Sequence, residues 1–150
     1  MNESNRRRWL LVVLLLGAVY FVFGVAFAAL AGSSGSDSIR QTWNRLGFLS
    51  SAVAFALHLG YEDFRLRSSP LITASHVSAA VALGAFALAV RVNVNGFRMG
   101  ASNQGLRATA LVAWPLITAV PAFAVSLIVA TILFRTTAHV SRQSRTSQDS

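Results

Sequence analysis

Three ionisable side chains, His58, Glu62 and His76, stand among apolar residues on either side of one charged turn. Imidazoles and a carboxylate placed this way can hydrogen-bond across a helical hairpin, ligate a metal or exchange a proton. His58 and Glu62 are four residues apart, so a helix makes them neighbours on the face that also carries Ser51 and Phe55. His76 follows Leu71 by five positions and His58 precedes Tyr61 by three, which sets both imidazoles about 5 to 8 Å inside the same membrane edge.

Two His on neighbouring helices at one depth can ligate a haem iron axially, making His58 and His76 candidates for a haem b site. With Glu62 added, His58, Glu62 and His76 become candidates for a divalent metal such as zinc or iron. The shallow depth favours a simpler role, a His to Glu hydrogen bond that fastens a hairpin, and no cofactor is predicted. His139 lies in a polar tail and reads as a solvated residue.

Other chemistries lack their parts. Zero Cys removes disulfides, thiolate metal sites and thiol catalysis. No Ser, His, Asp arrangement is evident, and the loop glycines Gly32 and Gly35 lack the Lys and Ser/Thr of a phosphate loop. Enzymatic activity is therefore not expected. Four-span disulfide-forming oxidoreductases need Cys pairs, and small multidrug transporters need a carboxylate inside the first helix, where residues 9–31 have none. Di-haem cytochromes repeat two His on each of two helices, and each helix here offers one.

The elements that must position these residues are membrane helices. Of the 150 residues 54% are hydrophobic and 12% charged, with a mean hydropathy of +0.55, which excludes a soluble enzyme. Four long apolar runs give spans over 9–31, 43–61, 71–90 and 108–134. The second is the weakest, because Asn44 and Arg45 lie at its start. Pro115 and Pro121 leave the carbonyls of Leu111 and Ile117 without their helical donors, so a bend is expected there, with Thr118 or a neighbouring helix supplying replacement bonds. Small residues at helical spacing, Gly24 with Ala28, Ala52 with Ala56 and Gly60, and Ala80 with Gly84, mark surfaces for close helix contact.

All 13 basic residues are Arg, against 5 acidic ones. They stand singly or in small groups at the ends of apolar runs, where orientation in a bilayer needs them, so nucleic acid is not expected as a partner. Counting short flanks puts eight Arg (6, 7, 8, 65, 67, 135, 142 and 145) on one side against five (40, 45, 91, 98 and 107) on the other. Both termini should be cytoplasmic. The 23-residue first run is longer than a cleavable signal core of about 7 to 15 residues, so it reads as a retained helix. Glu62 with Arg65 and Asp63 with Arg67 are expected to close the end of the second helix.

The sequence thus predicts an all-α integral membrane protein, a bundle of four transmembrane helices in up-down order. A single domain spans residues 1–134, followed by a disordered cytoplasmic tail, 135–150. The function expected is that of a small multi-pass protein of structural or accessory type in a bacterial inner (plasma) membrane. Its partners are the lipid bilayer and other membrane proteins or a second copy of the chain. A haem- or metal-binding redox protein using His58 and His76 is the alternative, and a small transporter with a bent fourth helix is a further one.

Overall fold

Each apolar run becomes a helix, and each helix outlasts its run. The computed structural model describes residues 3–63, 69–98 and 104–146. Its helices are α1 (Glu3–Gly32), α2 (Asp37–Tyr61), α3 (Pro70–Arg98) and α4 (Gln104–Thr146). The extra turns arise because a formed helix gains one hydrogen bond for each residue added, so polar residues at its ends join it at little cost. Capping sets where α2 starts. Ser36, with extended backbone, accepts a hydrogen bond from the Ile39 amide, and Asp37 pairs with Arg40 at 3.1 Å, so α2 begins at Asp37 rather than Trp43.

Pro70 occupies the first position of α3, where its missing N–H costs nothing. The helix then runs past Val90 to Arg98, and Asn93 is drawn into it, its side-chain amide donating to the Ala89 carbonyl at 2.9 Å. The helix α4 passes both Pro115 and Pro121 and continues beyond Phe134 to Thr146, into the segment expected to be disordered. The Thr118 hydroxyl donates to the carbonyls of Trp114 and Pro115, each at 3.0 Å, rather than to those orphaned by the prolines, Leu111 and Ile117.

Three helical stretches are long and apolar enough to cross a membrane: Arg6–Gly32, Pro70–Arg98 and Ala108–Thr136. This is the build of an integral membrane protein. The second helix, the weakest of the four expected spans, does not meet the same length and apolarity. Arg40, Asn44, Arg45 and His58 dilute its apolar stretch, and its polar and apolar residues are the most segregated of the four helices.

Helix packing fixes the relative directions. Trp9 meets His76, Gly17 faces Leu83 and Gly84, and Gly24 faces Leu88, so α1 and α3 run parallel. Gly47 and Trp43 meet Phe27, and the groove that holds Leu11 and Val12 also holds Leu57 and His58, so α2 runs antiparallel to α1. The most extensive contact is between α3 and α4, followed by α1 with α3 and α1 with α2; α2 touches α3 only slightly. A small core joins Leu59, Val77 and Ala130, with Phe55 packed on it.

The α1–α3 crossing is tight because glycine makes it so. A Cβ on Gly84 would lie 2.6 Å from the Tyr20 Cβ and 3.0 Å from the Gly17 carbonyl oxygen. Of the small-residue pairs, Ala80 and Gly84 are buried as expected. Ala52 and Ala56 are exposed and Gly60 half-buried, so most of that stripe faces outward, and Ala28 is exposed beside a half-buried Gly24.

Candidate functional site

Glu62 stands where α2 gives out. Its amide hydrogen-bonds the carbonyls of both His58 and Leu59, and the chain leaves through a wider π-helical turn at Glu62 and Asp63. That turn carries the carboxylate towards α3 and buries it, with 1% of the residue exposed. The parallel register of α1 and α3 brings Trp9 and His76 to the same end of the bundle. His76 Nδ1 lies 3.2 and 3.3 Å from the two carboxylate oxygens of Glu62. A carboxylate only accepts, so Nδ1 carries the proton and donates to both oxygens.

His58 completes the group from the other side. Its Nε2 is 3.8 Å from Glu62 Oε1, within ion-pair reach but beyond a hydrogen bond, and its side chain is sealed from solvent. Both ring nitrogens lack a hydrogen-bond partner among the described residues, as do the buried Trp9 Nε1 and Thr73 Oγ1. The Trp9 ring lies tilted against the His76 ring, their centroids 5.0 Å apart. The structure therefore brings together all three residues singled out in the sequence, with Glu62 between the two imidazoles. A buried carboxylate needs hydrogen-bond donors in place of water, and the His76 ring supplies one.

Two hollows flank this triad. An open cleft of about 320 Å³, lined by Trp9, Leu71, Ile72, Ser75 and His76, reaches it from the end of the bundle. On the far side a groove of about 660 Å³ runs between α1 and α2, with His58 and Tyr61 at one end. Among the described residues no group of three or more His, Asp and Glu side chains is disposed to hold a metal ion. Both imidazoles turn to the same carboxylate. The pairs expected from Glu62 to Arg65 and from Asp63 to Arg67, and the side chain of His139, lie outside the described residues.

Sequence reasoning missed two members of this neighbourhood. For Trp9 the sequence holds no signal, because nothing local ties it to α3. Thr73 lies three residues before His76 and is 1% exposed; that helical spacing was the signal that could have placed it beside the triad. Two further hydroxyls, Tyr20 Oη and Ser126 Oγ, are buried without a hydrogen-bond partner among the described residues. Comparison with protein-family models, with curated proteins and with solved structures gives no match.

Proposed function

We propose that the chain is a small multi-pass membrane protein of structural or accessory type, without catalytic activity of its own. It acts through lateral contacts with lipid and with other membrane proteins or a second copy of itself. The observation that carries this reading is the engagement of Glu62 by His76. The one buried carboxylate among the described residues is taken up in fastening α2 to α3, while all four helices expose large apolar side chains. A proton-coupled transport centre needs a carboxylate left free to exchange its proton.

In this reading all four helices cross a bacterial inner membrane and both termini are cytoplasmic. The direction of the helices supports it. Because α1 and α3 run parallel, the chain between them has to return, and α2 lies antiparallel along α1 over the same thickness. Packing against a strongly apolar neighbour can carry across a helix that is too polar to insert alone. Reporter fusions after Ser150 and within residues 32–42 are expected to report opposite sides; the same side for both would remove α2 as a crossing helix.

The accompanying experiment is purification in mild detergent, with metal content and visible absorbance recorded. No band and no stoichiometric metal are expected, in the wild type or in His58→Ala. A Soret band or a bound metal lost on that substitution would replace this reading with a haem- or metal-binding one built on His58, Glu62 and His76.

A further inference from the structure

The groove between α1 and α2 is apolar along its length and charged at its mouth. Its walls include Leu11, Leu15, Val19 and Phe23 from α1 and Ala54 and Leu57 from α2. A shallower stretch of about 370 Å³ shares Phe23, Ala54 and Leu57 with it and continues to Leu46. From Tyr61 to Leu46 the helix rises roughly 22 Å at about 1.5 Å per residue. That is the reach of one extended acyl chain.

The mouth is set by helical periodicity. Arg7 lies four residues before Leu11, and Arg8 four before Val12 and seven before Leu15, so both start the stripe that forms the α1 wall. Both are exposed. Tyr61, at the same end, is 48% exposed and brings a phenol from the α2 side. At this end Arg7 and Arg8 outnumber the half-buried Asp63, and the buried carboxylate of Glu62 is engaged by His76.

We propose that this groove binds one acyl chain of an anionic phospholipid, whose phosphate is held by Arg7 and Arg8 with the Tyr61 hydroxyl. The apolar walls gain dispersion contacts that an empty groove forfeits, and the guanidiniums select the anionic headgroup. This goes beyond the accessory role, since it assigns a ligand class and the residues that select it. A phosphatidylcholine with the same chains fills the groove equally well, but its zwitterionic head gains less from two guanidiniums.

The test uses the full chain in nanodiscs of phosphatidylcholine, titrated with phosphatidylglycerol of the same chains and read by native mass spectrometry of the released protein. Two surface Arg at about 1 kcal/mol each correspond to a preference of about 30-fold for phosphatidylglycerol. Arg7→Gln with Arg8→Gln should abolish the preference, and Arg7→Lys with Arg8→Lys should keep most of it. Ala54→Phe, which fills the groove, should lower retention of phosphatidylglycerol. In case that variant does not fold, phosphatidylglycerol with a diazirine in its acyl chain is photolysed on the wild type. Labels on residues 11–23 and 54–57 support the proposal. Equal retention of both lipids, a preference that survives the double Gln variant, or labels chiefly on the outer face of α4 at Leu116 and Val120 would overturn it. Loss of preference in the Arg variants with no labelling of the groove also overturns it, leaving only a headgroup contact.

Discussion

Along α1 the side facing α3 is built on glycine, and the side facing α2 on leucine, valine and phenylalanine. Gly17 and Gly24 let the α3 side chains Leu83 and Leu88 lie against the α1 backbone, and Gly84 brings α3 close enough that a single added carbon would strike Tyr20 and a backbone carbonyl. On the other side, Leu15, Val19 and Phe23 stand between the helices and leave the 660 Å³ groove open to the membrane. Large apolar residues would draw helices together in water, but lipid tails satisfy them equally well, so in a bilayer close packing comes from small ones. The two contacts differ in kind: one is a fixed joint, the other a lipid-facing cleft closed mainly at its ends.

The sharpest way to break this contrast is Gly84→Leu. Its Cβ has no room on the α1 side, where the obstructing atoms include the Gly17 carbonyl oxygen at 3.0 Å. A loss of about 3 kcal/mol is expected in unfolding by mixed micelles, the upper range for overpacking. His76→Ala should come next, at about 1 to 2 kcal/mol, since it removes the hydrogen bond that joins α2 to α3 while Glu62 remains buried. The companion variant Glu62→Ala, which removes the acceptor, should make the His76→Ala effect much smaller in a double-mutant cycle; equal losses in both backgrounds would show that the pair is not coupled.

Gly24→Ala tests the fixed joint more gently, because the obstructing atoms are the methyl groups of Leu88, which can change rotamer. A loss of about 1 kcal/mol is expected by the same measurement. The smallest effect belongs to Leu57→Ala on the cleft side. Leu57 is 69% exposed, so its truncation should stay within about 0.5 kcal/mol. A larger loss there than at Gly24 would reverse the comparison.

The apolar runs were legible because helical insertion needs length and low charge, both of which a sequence displays directly. The triad was legible for a related reason: His58 and Glu62 are tied by a four-residue step, and the short turn to Pro70 holds α3 beside them. Helix ends were harder. Ser36 stands in a stretch rich in Gly and Ser, and only its acceptance of the Ile39 amide makes it a cap; Asn93 is a poor helix former that its bond to the Ala89 carbonyl keeps inside α3. The place of Trp9 depends on the register of α1 against α3, which Gly17 and Gly84 decide across more than sixty residues of sequence. No local pattern carries that information. The second run reads as the weakest in the sequence and α2 falls short of a spanning helix, because charge at one end and His58 near the other count against insertion of an isolated helix, whereas its packing on α1 is a tertiary property.

The ring contact between Trp9 and His76 also has an optical side. Indole emission responds to a charged or neutral imidazole held against the ring, and an imidazolium near an indole also interacts with its π face. Of the other two indoles, Trp43 faces Phe27 and Trp114 is more than half exposed. A variant with Trp43→Phe and Trp114→Phe would keep its only indole at the hairpin junction. Its emission would report, without any attached label, whether α1, α2 and α3 are joined at that end.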